Sequence, residues 1–77
     1  MKIAVTFLED LTEKSLLDIE HIRSVLNSTL ESHGGNPFIK QESKPVQWVA
    51  DASEFEYGFV CNFLKSVKYE YTVLKVD

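Results

Sequence analysis

The side chains in this sequence that could do chemistry are few and lie far apart. Cys61 is the single cysteine, and a nucleophilic thiol needs a base held beside it and a lowered pKa. The residues around Cys61 are mostly apolar and supply no recognisable base. A single cysteine also excludes an internal disulfide and a cysteine-rich zinc site. We therefore predict a structural thiol and no catalytic residue.

The histidines and the paired carboxylates do not predict a reactive site either. His21 and His33 are 12 residues apart in a stretch of helical periodicity, which is about 18 Å along a helix axis, too far to share a metal ion. Glu54 and Glu56 form a close carboxylate pair, but acids at this spacing are typical of the first turn of a helix. We predict no metal site and no cofactor.

Residues 57–61, with the sequence YGFVC, resemble the centre of the RNP1 motif of RNA-recognition-motif domains. The resemblance implies a ferredoxin-like fold and a sheet on which aromatic residues stack RNA bases. The flanking residues depart from the motif, because Phe55 and Glu56 replace a basic residue and a glycine, and Asn62 replaces an aromatic residue. We interpret the aromatic residues of this stretch as core residues.

The element that must position any functional surface is a long helix predicted for residues 10–33. Asp10 or Thr12 caps its N-terminus, and the pair Gly34-Gly35 ends it, because glycine accepts the left-handed geometry of a helix C-terminus. Its apolar residues recur at steps of three and four and therefore share one helical face. These residues are Leu16, Ile19, Ile22, Leu26 and Leu30.

Four shorter segments have the composition of β-strands. Alternation of polar residues with β-branched and aromatic ones predicts strands at residues 2–8, 38–41, 46–50 and 67–76. The polar residues 42–45 form a predicted turn, so the second and third strands make a hairpin.

Residues 54–64 fit either a helix or a strand. Ser53 and Glu56 have the spacing of a capping box. Apolar residues repeat at an interval of four and would form one broad core face of a helix, which favours the helix. These residues are Phe55, Phe59 and Phe63, with Val60 and Leu64. The sequence then predicts an α+β fold of the ferredoxin-like order β-α-β-β-α-β, with two helices on one face of an antiparallel sheet. The alternative, with residues 54–64 as a strand, is β-α-β-β-β. Residues 1–77 form a single predicted domain.

The charge of the chain is concentrated in the long helix. The net charge is −4, and residues 9–33 hold six acids and two bases, which accounts for the whole excess. Phosphate backbones attract the opposite sign, so direct nucleic-acid binding is not expected. No apolar run approaches the roughly 18 residues of a membrane span. With one cysteine and no apparent signal peptide, the expected location is the cytoplasm.

This acidic helix is the most informative feature for function. Three of its acids, Glu13, Glu20 and Glu31, project with Asn27 along one stripe roughly opposite the apolar face, and two further apolar residues lie off the core face. We predict a small, acidic, non-catalytic protein-binding module of inhibitor, antitoxin or adaptor type, which docks on a basic partner surface. Such a module could act as a nucleic-acid mimic of phage or mobile-element type. The candidate binding residues are Glu13, Leu17, Glu20, Val25 and Glu31.

Two other functional classes remain as alternatives. The first is an oligomeric domain that binds a small regulatory ligand, and the second is a small enzyme or nuclease. The predicted open face of the sheet is a second candidate interface, for a homodimer. This face carries Ala4, Thr6 and Leu8 from the first strand, with Thr72 and Leu74 from the last.

Overall fold

The computed structural model describes residues 1–8, 10–41 and 44–76. Its secondary-structure elements follow the predicted order. The elements within these residues are β1 (Lys2–Phe7), α1 (Glu13–Ser32), β2 (Ile39–Gln41), β3 (Gln47–Asp51), α2 (Glu54–Leu64) and β4 (Tyr71–Val76). The ferredoxin-like α+β prediction is confirmed, and the helix at residues 54–64 excludes the strand alternative. Within the predicted turn, Glu42 and Ser43 lie outside the described residues.

The described strands form one antiparallel sheet in the order β2-β3-β1-β4. Val5 in the central strand pairs with Trp48 on one side and with Val73 on the other. Alternate residues of β1 point to opposite faces of the sheet. Ile3, Val5 and Phe7 are fully buried in a core shared with both helices, so both helices cover one face and the other face is open.

Trp48 lies at the centre of the core. It is fully buried, and its ring packs edge-on against Phe7, with ring centroids 4.8 Å apart, and lies 6.2 Å from the ring of Phe38. Its indole N–H has no hydrogen-bond acceptor among the described residues. The core is therefore held by aromatic packing and apolar burial.

The ends of α1 are fixed by local sequence. Thr12, and not Asp10, is the N-cap, because its side chain accepts a hydrogen bond from the N–H of Ser15 at 3.2 Å. At the other end Gly34 has a φ of +79°, and its N–H and that of Gly35 donate to carbonyls of the last helical turn at 3.0 and 2.8 Å. This is the Schellman arrangement that glycine permits, as predicted.

Helix α2 begins with the predicted capping box. One of its aromatic residues, Phe55, was predicted to lie in the core but is exposed. Val60 and Leu64 are fully buried, whereas the side chain of Phe55 is 83% exposed, so its assignment to the core was wrong. Phe55 borders the same cleft as Gly34 and Gly35, and glycines have no side chain to cover it. Neither α1 nor α2 is long and apolar enough to cross a membrane.

Candidate functional site

The five candidate binding residues define a surface that we call the outer face of α1. They differ in exposure and in their contacts. Leu17 is 73% exposed and Val25 is 44% exposed. Glu13 and Glu31 are both exposed, near opposite ends of the helix. They are 18 positions apart in sequence, which corresponds to about 27 Å along the axis. The outer face therefore has exposed apolar residues between two distant carboxylates.

Glu20 differs from the other two acids of this face because its charge is compensated. Its carboxylate lies 2.8 Å from Nη2 of Arg23 and 3.5 Å from Nζ of Lys40. The same arginine donates from Nη1 to the carbonyl of Phe38 at 2.9 Å. Glu20 therefore connects α1 to the β2 side of the sheet, and it adds less negative potential to the outer face than Glu13 or Glu31.

Asn27, which the sequence places on the solvent-facing stripe, has a structural role. Its amide accepts a hydrogen bond from the N–H of Phe38 at 2.7 Å and donates one to the carbonyl of Phe38 at 3.1 Å. Phe38 is fully buried just before β2, where its backbone polar groups need partners. We call Asn27 and Arg23 the Phe38 clamp. The clamp ties the segment entering β2 to the middle of α1.

The surface around Leu17 carries charges of both signs. A shallow depression of about 600 Å³ lies beside it, lined partly by Lys14, Asp18, Lys68 and Tyr69. The hydroxyl of Tyr69 donates to the carboxylate of Asp18 at 2.6 Å. The outer face therefore carries charges of both signs around Leu17.

A cleft of about 370 Å³ lies where α1 ends and α2 begins, with Leu30, His33, Phe55, Glu56 and Phe59 among its lining residues. Sequence reasoning missed it because Phe55 follows the same interval of four as the core residues of α2. One wall is held tightly: a Cβ added to Gly35 would overlap the carboxylate of Glu56. That carboxylate is already used, since it accepts the backbone N–H of Ser53 in the capping box.

The groups with acid–base or nucleophilic chemistry lie mainly on α2. Cys61 is half-buried, and Lys75 lies over the ring of Tyr57, 4.5 Å from its centroid, and 3.6 Å from the carboxylate of Glu54. A hydrogen bond with the Cys61 thiol, and the charge of that thiol when ionised, raise the pKa of Tyr57 above its usual value. Among the described residues, no group of three or more His, Cys, Asp or Glu is placed to hold a metal ion.

Comparison with known proteins adds no candidate. A scan against protein-family models, a search of curated proteins and a search of solved structures each found no match. The likeness of residues 57–61 to the RNP1 motif does not extend to the structure, because these residues lie in α2 and not on the sheet. The function is therefore argued from the surfaces of the molecule.

The open face of the sheet is the second surface, and its residues follow from the strand register. On the open face, the residues paired between neighbouring strands form three rows that run across the sheet. The apolar row is Ile39, Val49, Ala4 and Leu74. The polar row is Gln41, Gln47, Thr6 and Thr72. The charged row is Asp51, Lys2 and Val76.

The apolar row is exposed at both ends. Ile39 is 56% exposed and Leu74 is 55% exposed, while Ala4 in the centre is 4% exposed. The placement of Ala4, Thr6, Thr72 and Leu74 agrees with the prediction, and Leu8, beyond the end of β1, is 51% exposed. The contribution of β2 and β3 was missed, because the sequence does not reveal which residues the register places side by side.

Proposed function

We propose that this chain is a small, non-catalytic protein-binding module that docks on a basic partner surface through the outer face of α1. The observation that carries the proposal is the 73% exposure of Leu17 in the second turn of the charged helix α1. Leu16, its neighbour in sequence, is half-buried, so the fold does not need a second apolar residue there. Interfaces commonly combine a few apolar anchors with a charged rim.

The charges of this face support a basic partner. Glu13 and Glu31 form no ion pair within the part of the chain that the structure describes. Uncompensated carboxylates steer a positively charged partner and raise the association rate. Because Glu20 is paired with Arg23 and Lys40, we assign the steering to the two ends of the face and the apolar contact to Leu17 and Val25.

An inhibitor, antitoxin or adaptor role in the cytoplasm is the narrower form of this proposal. A nucleic-acid mimic would present carboxylates where a target expects phosphates. Glu13 and Glu31, about 27 Å apart on a rigid helix, are the acids of this face that could take that part. If the chain is a nucleic-acid mimic, nucleic acid should compete with it for its partner.

The test compares charge reversals at equivalent positions of the two helices. Glu13 and Glu54 are each the first residue of a helix that follows a side-chain cap. Glu13→Lys and Glu54→Lys therefore change the net charge and the helix-dipole interaction alike. Glu54→Lys also removes the exposed ion pair with Lys75, and exposed pairs of this kind contribute little to stability. Bait proteins carrying each change, and a Leu17→Ser bait, are used to capture partners from an extract of the native host at low and high salt. Circular dichroism verifies that each bait is folded.

We expect Glu13→Lys and Leu17→Ser to lower recovery of a basic protein that the unchanged chain and Glu54→Lys both retain. Burying the exposed part of one leucine is worth about 1–2 kcal/mol, so Leu17→Ser should weaken affinity for the purified partner roughly 5- to 30-fold. If both variants bind that partner as tightly as Glu54→Lys does, α1 is not the docking surface.

A further inference from the structure

The open sheet face carries no net charge within its three rows, although the chain is acidic. Its three rows contain one cation, Lys2, and one anion, Asp51, which are register partners on adjacent strands. Within the described residues neither of them forms an ion pair. A face of this kind presents no electrostatic barrier to a second acidic copy, and it keeps one charge of each sign available for an external partner.

The arrangement of the rows is complementary to itself under one symmetry operation. Consider a second copy turned by a twofold axis that lies between the two sheets and runs parallel to the strands. Rows then face the same rows, and the strand order reverses, so β3 faces β1 and β2 faces β4. Val49 comes to lie opposite Ala4 of the second copy, and Ile39 comes to lie opposite Leu74. Large side chains meet small ones in the centre, as in interdigitated sheet packing.

The same operation brings opposite charges together. Asp51 faces Lys2 of the second copy, and by symmetry Lys2 faces the second copy's Asp51, which gives two ion pairs per dimer. A twofold axis perpendicular to the strands would place Lys2 opposite Thr6 and Asp51 opposite Gln47. Both charges would then be desolvated without a partner, which is costly.

We propose that the open sheet face binds a second copy of this chain, sheet against sheet, about a twofold axis parallel to the strands. This interface is separate from the outer face of α1, so it stands or falls independently of the proposed partner binding. Four strands about 4.8 Å apart, and about five residues at 3.3 Å each, give a face of roughly 300 Å² per copy in projection. That size belongs to weak, transient association.

The first experiment measures self-association of the full chain by sedimentation, from low micromolar to millimolar concentration at low salt. We expect a reversible monomer–dimer equilibrium with a dissociation constant of roughly 10–500 µM. Leu74→Lys places a charge in the apolar row at a half-exposed position of an edge strand, where the fold should tolerate it. This variant should weaken the dimer at least about tenfold. A chain that stays monomeric at millimolar concentration would overturn the proposal.

The second experiment distinguishes contact between copies from an effect within one copy. Lys2→Glu and Asp51→Lys each place like charges opposite each other in the homodimer, so each variant alone should dimerise at least about tenfold more weakly. In a heterodimer formed from an equimolar mixture, the two changed residues face each other with opposite signs, and so do the unchanged Asp51 and Lys2, so the heterodimer should recover the original affinity.

Lys14→Glu, on α1, is the matched control for the charge change and should dimerise as the unchanged chain does. Leu17→Ser should do the same, which separates this interface from the proposed docking face. If the mixture is as weak as either variant alone, the twofold arrangement is wrong.

Discussion

Replacing Asn27 by alanine tests whether the Phe38 clamp holds β2 to the helix layer. The side-chain amide of Asn27 makes two hydrogen bonds to the backbone of Phe38, at 2.7 and 3.1 Å. Alanine is a better helix former than asparagine. A solvent-facing Asn27 would therefore give a neutral or slightly stabilising change, and the clamp predicts the opposite.

The size of the effect follows from which backbone group loses its partner. The carbonyl of Phe38 keeps its hydrogen bond from Arg23 at 2.9 Å, so only the N–H of this buried residue is orphaned. Leaving a buried donor unsatisfied costs about 1–3 kcal/mol, and the gain in helix propensity offsets up to about 0.7 kcal/mol. We expect Asn27→Ala to lower the free energy of unfolding by about 1–2 kcal/mol. For a domain of this size that corresponds to a fall in Tm of roughly 5–15 °C.

The assay is urea unfolding followed by fluorescence of Trp48, the single tryptophan, which is fully buried, with far-UV circular dichroism as a second probe. Asn62→Ala is the matched control, because Asn62 is an exposed asparagine within α2 and should change stability by no more than about 0.5 kcal/mol. Equal stability of the two variants would refute the clamp.

Two further predictions concern α2. Phe55→Ala should leave the free energy of unfolding within about 0.5 kcal/mol of the unchanged chain, whereas Val60→Ala, at a fully buried site, should lower it by about 2 kcal/mol; similar losses in urea unfolding would contradict the exposure of Phe55. The pKa of Tyr57 is raised, chiefly by its hydrogen bond with Cys61, so one tyrosine should ionise above the usual range in an absorbance titration, and Cys61→Ala should bring it down. The pKa of Tyr57 is higher in the folded state than in the unfolded chain. Its contribution to folding stability is therefore fully present below the pKa of the unfolded chain and is lost as pH rises through the folded value. A titration unchanged by Cys61→Ala would contradict the contact between Tyr57 and Cys61.

Local signals in the sequence were sufficient for the element order. Ser53 and Glu56 lie three residues apart and form the capping box that begins α2, so the helix could be predicted without knowledge of its surroundings. Gly34 likewise ends α1 through its own φ of +79°. The last strand begins later than predicted, at Tyr71, because Val67 still donates a hydrogen bond to the carbonyl of Leu64 at the end of α2.

Features that depend on distant residues could not be predicted. Asn27 and Glu20 look like solvated helix positions until the fold brings Phe38 and Lys40 beside them. In the same way, Ile39 belongs to the apolar row only through its register with Val49. Periodicity identifies which face of an element a residue occupies, but the partner of that face is a property of the tertiary structure.

The close approach of Gly35 to Glu56 has a consequence for the dynamics of the helix layer. The carboxylate of Glu56 accepts the backbone N–H of Ser53 at the start of α2, and it also lies against Gly35, in the backbone that ends α1. If either helix terminus unfolds, the contact between Gly35 and Glu56 is lost for both termini. We expect amide protons in the last turn of α1 and the first turn of α2 to exchange with solvent through one shared opening event, with a single free energy.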